Sequence, residues 1–368
     1  MEQYGEYRMS EINRALASVR RIADIEPIPG ADVIVCATID GWKLVTQKSN
    51  NFQIGDLVVY FEIDSFLPVC EKFEFLRKSS FKMMGTEEGF RLKTIRLKGQ
   101  VSQGLILPLS EFFFLNSEGQ PAWPDGEAVT EGTDLTYYIG IKKWDPPLAG
   151  NLSGKARGNF PSWLVKTDQE RIQNTFKYKN RHKGQHYEAS IKLDGSSMSV
   201  YVKDGYAGVC SRNLDLDSSD EGNLFWRTAK STGLVEALEH DWEFAHLNYA
   251  LQGELMGPGV QGNREQLKEH HFYVFDIFDI DAADYVTPEV RNRIINVLNG
   301  HGAKIDHVPV IGIVCMDDFE TVQDFLDYAD AQKSINHPIA EGVVFKSVDG
   351  SRNSFKVISN KFLLKEKD

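Results

Sequence analysis

Lys192-Leu193-Asp194-Gly195 puts an amine two residues ahead of a carboxylate on a glycine turn, where it is placed to attack an electrophilic phosphorus. The tetrapeptide alone carries little weight, since K-x-D-G arises by chance in roughly one chain in ten of this length. Its weight comes from an ordered series of motifs nearer the C-terminus. Ser211-Arg212-Asn213, Gly253-Glu254-Leu255-Met256-Gly257-Pro258-Gly259 and Phe272-Tyr273-Val274-Phe275-Asp276-Ile277-Phe278 come first. Glu341-Gly342-Val343-Val344-Phe345-Lys346 and Phe355-Lys356 complete the series.

A free lysine has a pKa near 10.4, so at pH 7 only about one in 2500 is neutral, and deprotonation costs roughly 4.6 kcal/mol. Asp194, Glu254 and Glu341 by themselves hold the ammonium charged, the wrong direction for a nucleophile. Mg²⁺ or Mn²⁺ among those carboxylates reverses the sign and covers a triphosphate, leaving Lys192 able to attack. Phe275 offers a face for a purine, and Lys346 and Lys356 can grip phosphate oxygens. Arg212 suits either phosphate end. Plainer readings exist: Phe275 as a core aromatic, Glu254 as a turn cap, Lys346 as a solubilising strand-edge residue. Glu341 and Lys346 have opposite pleat parity, so they serve different surfaces or are parted by a bulge.

The elements that must position these groups suit two or three domains in 368 residues, with 42% hydrophobic and 26% charged residues. No basic stretch followed by an apolar run marks either terminus, and no segment approaches the roughly 18 apolar residues of a membrane span. A cytoplasmic or nuclear chain is expected. Cys36, Cys70, Cys210 and Cys315 lack C-x-x-C spacing and read as buried reduced thiols. A net charge of -12 argues against nonspecific coating of nucleic acid, though not against a local basic groove.

The fold class read from the pattern is α+β. Residues 1–110 form an antiparallel OB-like barrel, with alternation over Ala31 to Thr46, Asp56 to Val69 and Gly89 to Leu109. Within it Lys82, Arg91, Lys93, Arg96 and Lys98, interleaved with Phe81 and Phe90, suit backbone contact and base stacking, or else a solvated basic hairpin. Residues 111–165, rich in Pro, Gly, Trp and Asn and including Trp144-Asp145-Pro146-Pro147, read as a connection. Residues 166–368 form a domain of antiparallel sheets flanked by helices. A helix capped by Thr167 or Asp168 opens it, and His186 to Val202 pairs with Tyr206 to Arg212 around Asp204-Gly205. Helical spacing covers Leu224 to Trp242, and Thr287-Pro288 caps a helix to about Leu298. Another helix spans Phe319 to about Ala331, and Ser354 to Leu364 is a last strand.

Together these motifs resemble those of covalent nucleotidyltransferases, and most closely the ATP-dependent RNA ligases. Within them the chain looks like the Deinococcus-type nick-sealing ligases, with an OB barrel ahead of an ATP-grasp-like nucleotidyltransferase domain. The resemblance implies that Lys192 forms a lysyl-AMP from ATP, passes AMP to a 5′-phosphate and lets a 3′-hydroxyl displace it. It implies Arg171, in a helix before the nucleophile, at the nucleotide, Arg212 on substrate or phosphate, Glu254 on the ribose and Phe275 on adenine. Asp194 and Glu341 would serve the hydrated metal, and Lys346 and Lys356 the phosphates. The substrate implied is a nicked duplex, RNA on the 3′-hydroxyl side, handled by a monomer in RNA repair. The last motif commonly has lysines at alternate positions, but Lys356 is followed by Val357 and Ile358, with Lys361 as a candidate substitute. Only seven residues lie beyond Lys361, too few for the trailing OB domain of DNA ligases or GTP-using capping enzymes, which become a weaker alternative. A nonenzymatic nucleic-acid-binding protein with a ligase-like fold is the other.

Overall fold

The computed structural model describes residues 14–145, 154–240, 247–351 and 353–365. The chain forms two compact units, of which the first comprises 14–145, 172–179 and 363–365 and the second 154–171, 180–240, 247–351 and 353–362.

The first unit is strand-rich because its apolar residues recur at every second position. Its five-stranded sheet runs Leu105–Pro108, Leu57–Phe61, Ala17–Pro27, Ile34–Ile39, Trp42–Gln47, all antiparallel. A four-stranded sheet adds Lys142–Lys143, Ser65–Pro68, Glu87–Arg91 and Phe81–Met84. Val19, Val59, Phe61, Leu67, Phe73 and Phe90 form its core, and Phe113, Val129, Leu135 and Ile141 from the segment expected to be a connection join them. Pro146 and Pro147 lie outside the described residues. Phe90 is fully buried, edge-on to Phe81, because its strand turns that face inward. It is therefore no platform for a base. Arg91 is also buried, its guanidinium over the Trp144 ring, whereas Arg96 and Lys98 stay exposed on the Ile95–Leu97/Gln100–Ser102 hairpin. Cys70, expected to be buried, is exposed.

In the second unit we label β1 His186–Lys192, β2 Ser196–Lys203, β3 Tyr206–Ser211, α1 Leu224–Ser231, α2 Leu234–His240, β4 Tyr249–Met256 and β5 His271–Asp279. Next come α3 Pro288–Gly300, β6 Val310–Cys315, α4 Val322–Asp330, β7 Gly342–Ser347, β8 Ser354–Ile358 and α5 Asn360–Leu363. One sheet has the order Glu170–Arg171, β8, β7, β1, β6. The other runs Ala156–Asn159, Leu214–Leu216, β3, β2, β4, β5, Asp284–Tyr285, and Asp306–His307 pairs with β5. Phe225, Trp226, Leu238, Ile294, Ile295 and Leu298 cover the β2–β4–β5 face with an apolar layer.

The expected arm from His186 to Val202 is two strands in two different sheets, broken at Leu193-Asp194-Gly195. Asp204 and Gly205 both have positive φ, 52° and 76°, matching the right-handed twist of the β2–β3 hairpin. The helical stretch from Leu224 breaks into α1 and α2 at Gly233, φ 71°; Trp242 is outside the described residues. No helix begins at Thr167, because Glu170–Arg171 pairs in parallel with Phe355 and Lys356 instead. The last strand stops at Ile358, where the Ser359 hydroxyl accepts from Phe362 N and opens α5. No helix is long and apolar enough to cross a membrane among the described residues.

Candidate active site

Lys192 is the last residue of β1, at the point where the chain leaves one sheet for the other. Its side chain turns toward Glu341, one residue ahead of β7, with Nζ donating to the carboxylate at 2.7 Å. Gly195 opens β2 tight against β4: a Cβ there would meet Leu255 O at 2.4 Å and Glu254 Cγ at 2.8 Å. This approach lets Gly195 N–H donate to Glu254 Oε1 at 3.1 Å. Asp194 is 3.6 Å from Arg264. Three elements thus bring Asp194, Glu254 and Glu341 around one ammonium.

The charges are unbalanced. Burial pushes the Glu254 carboxyl up to about 8, and Glu341 and Asp194 add to this against the attraction of Lys192. Burial, then Glu341, raises Asp194 to about 6, with Lys192 and Arg264 opposing. Burial alone would lower Lys192, but Glu341, Glu254 and Asp194 outweigh it and hold the amine above the ordinary lysine range.

Cross-strand partners share a face, as do residues two apart in a strand. Lys192, Gly342 and Ile358 form one row, Ser190, Val344 and Lys356 the next, and Glu188, Lys346 and Ser354 the third. The three lysines therefore lie on one sheet face. The β7 register is unbroken, so no bulge separates Glu341 from Lys346; the acid precedes the strand and the lysine lies within it.

A bulge does occur in β5. Gln252 pairs with Asp276 and Gly253 with Val274, leaving Phe275 without a partner. Bulges re-aim a side chain, and here they also free a carbonyl. Lys346 Nζ donates to Phe275 O at 2.9 Å and pairs with Asp276 at 2.7 Å. Lys346 lies 5.1 Å from the Phe275 ring centroid. Arg291 of α3 donates to both Glu188 carboxylate oxygens, at 2.8 and 2.9 Å. Burial pulls Lys346 below the ordinary lysine range despite Asp276. Burial, with Arg291 next, lowers His307 to about 3.

Arg171 is buried beside Lys356 through the parallel strand pair. Arg212 makes a two-pronged bond to Asp168 at 2.8 and 2.9 Å. Lys361, on a helix rather than a strand, donates to Asp330 O at the end of α4, and Ile358 is buried. Sequence reasoning missed Arg264, Arg291, Glu188 and His307. None lies at a spacing that marks it, because each enters from a separate element.

No three His, Cys, Asp or Glu side chains form a ready-made metal cage among the described residues. The donors nevertheless fit a hard divalent cation that keeps part of its water, since all are carboxyl oxygens, part-buried and close enough to raise the pKa of Asp194 and Glu254, which a cation would relieve.

A barrel of antiparallel strands and a two-sheet unit with a lysine at the sheet crossover define a polynucleotide ligase architecture. Residues 16–109 match an OB-fold domain family, and residues 185–358 match the RNA ligase family. Among solved structures, a Naegleria gruberi RNA ligase variant with AMP and Mn is 42% identical, covering 96% of this chain and 100% of its own, TM-score 0.86. The same enzyme with PPi gives 42% identity over 95% and 98%, TM-score 0.85. A further variant with ATP and Mn gives 42% over 96% and 100%, TM-score 0.86. No curated protein matches the sequence. The chain belongs to the RNA ligase family.

Proposed function

We propose that this chain is an ATP-dependent RNA ligase that joins 3′-hydroxyl and 5′-phosphate ends at nicks in duplexes, with RNA on the 3′-hydroxyl side, through a lysyl-AMP on Lys192. It acts as a monomer in the cytosol or nucleus. The observation that carries the reading is the single lysine at the sheet crossover with three carboxylates gathered on it from three elements.

In the first step the neutral Lys192 amine attacks the α-phosphorus of ATP, forming a P–N bond and giving up one N–H proton as the bond to the β-phosphate oxygen breaks and pyrophosphate leaves. In the second, a 5′-phosphate oxygen displaces Lys192 and takes the AMP. In the third, the 3′-hydroxyl attacks that 5′-phosphate, loses its proton and releases AMP. Asp194, Glu254 and Glu341 would hold a divalent cation, which would neutralise charge on those carboxylates and on the triphosphate. Phe275, thrust out of the ladder by its bulge, stacks on adenine, and Glu254 reaches the ribose. Lys356 and Arg171, side by side, bind phosphate. Lys346, engaged by Asp276, anchors the Phe275 carbonyl and contacts phosphate only on leaving that partner. Arg212, exposed, meets the nucleic acid or its phosphate. In the barrel Lys82, Lys93, Arg96 and Lys98 hold the duplex backbone. The Naegleria enzyme, solved with ATP, AMP, Mn and PPi, supports this reading by likeness.

Intact-mass measurement after mixing with ATP and Mg²⁺ tests it: an AMP adduct is expected on the parent and none on Lys192→Ala. A GTP adduct in preference would mark a capping-type enzyme, and no adduct a binding protein. Sealing of nicks differing only in the flanking sugars tests the RNA requirement.

A further inference from the structure

Arg264 lies in the loop after β4, and the backbone there is strained. Gln261, Gly262, Asn263 and Gln266 all have positive φ, at 42°, 69°, 46° and 53°. For residues other than glycine this costs on the order of 1 kcal/mol each and persists only where surroundings impose it. They do impose it. The Asn263 side chain closes a ring on Leu267, accepting from its N–H at 3.0 Å and donating to its carbonyl at 2.9 Å. Buried Glu265 accepts from Asn336 N at 2.5 Å.

The side chain between these pins is fixed as well. The Arg264 guanidinium stands 4.4 Å from the Phe362 ring centroid, and one nitrogen lies 3.3 Å from His337 Nδ1. The other terminal nitrogen is 3.6 Å from Asp194, an ion pair too long for a hydrogen bond. Its donors there are not used up. A preorganised fork with spare donors, beside the carboxylate two residues from the nucleophile, is built for a phosphate anion rather than for stability.

We propose that Arg264 is the residue that binds the β- and γ-phosphates of ATP and so steadies the departing pyrophosphate. The inference rests on the ligase reading and adds a ligand to it. Asp194 holds the fork in place, and on ATP binding the triphosphate takes the spare donors. Pyrophosphate takes part only in the first of the three chemical steps, so Arg264 serves adenylation and not sealing.

The test is single-turnover lysyl-AMP formation against ATP concentration, beside sealing of a nick already carrying 5′-AMP, in full-length Arg264→Ala and Arg264→Lys. Arg264→Ala is expected to raise the half-saturating ATP concentration at least about tenfold, to slow pyrophosphate-driven loss of AMP from Lys192, and to seal the pre-adenylated nick within about twofold of the parent. Arg264→Lys, retaining the charge, recovers part of the ATP affinity and covers the case in which the alanine variant does not fold. Equal loss in both reactions, or normal adenylation, overturns the proposal. If the parent itself forms no lysyl-AMP, the ligase reading fails instead.

Discussion

Lys192 and Lys346 stand on the same face of the same sheet, each 2.7 Å from a carboxylate and each pushed down by burial, yet the charges around them move them apart. Lys192 faces three carboxylates, which outweigh burial and hold it protonated; Lys346 is pulled below the lysine range by burial, Asp276 and Glu188 being too few against it with Arg291 on the opposing side. The lysine with the depressed pKa is therefore not the proposed nucleophile. A perturbed pKa marks a functional neighbourhood, but here the sign of the shift identifies the supporting lysine. The proposed nucleophile is the one whose carboxylates could be turned over to an incoming cation.

Exchanging or removing charges in the two neighbourhoods tests this contrast. The largest effect is expected for Lys192→Ala, with the AMP adduct absent from the mass spectrum and the melt lowered because Glu341 loses its cation. Next, Glu341→Gln, Glu254→Gln and Asp194→Asn should each slow adduct formation by about 10²- to 10³-fold, the scale of one lost preorganised electrostatic partner. Rapid-quench measurement at saturating ATP and Mg²⁺ checks it.

Lys346→Met should act mainly through stability. It leaves Asp276 part-buried without its cation, costing about 3 kcal/mol in denaturant melts, with adduct still formed. A normal melt with no adduct would break the contrast and make Lys346 a phosphate ligand.

The two neighbourhoods should also respond oppositely to pH. Glu254 is raised from 4.5 to about 8, so the folded chain binds that proton more tightly than the unfolded one. Its stabilising contribution is full below about pH 4.5 and is lost as pH rises to about 8. His307 is lowered from 6.5 to about 3, so its contribution is full above about pH 6.5 and is lost as pH falls toward 3. Metal-free melts across pH should show Glu254→Gln flattening the upper limb and His307→Gln the lower one. The smallest effect is expected for Lys361→Ala, since its ammonium serves the end of α4: adduct formation within about twofold, and stability lower by about 0.5 kcal/mol.

Much of the fold was legible from chemistry confined to a few neighbouring residues. Asp204-Gly205 specifies its hairpin, and Thr287-Pro288 caps α3 with the Thr287 hydroxyl accepting from Val290 N. Errors came where a partner distant in sequence decided. The segment around Thr167 has capping residues, but β8 offered Glu170–Arg171 a ladder. Ser354 to Leu364 alternates like a strand until Ser359 bonds Asp330 and turns the chain into α5. Phe90 alternates with cations, yet its face belongs to the core.

The site divides in the same way. Lys192, Asp194, Glu254, Phe275, Glu341 and Lys356 were identifiable because motif order and residue type survive without coordinates. Arg264, Arg291 and His307 were not, because each reaches its partners from elements distant in sequence, which leaves no periodicity to read.

By itself the sequence determined the chemical inventory: which amine, which acids, which aromatic, and the strand and turn propensities that carry them. Only the tertiary structure decided that Lys192 ends a strand of one sheet as Ser196 begins a strand of another, and that a bulge turns Phe275 out of its ladder. It also decided that two lysines alike in sequence acquire opposite electrostatic character. Propensity and motif are local properties of the chain, whereas burial and field are sums over everything that packs around a group.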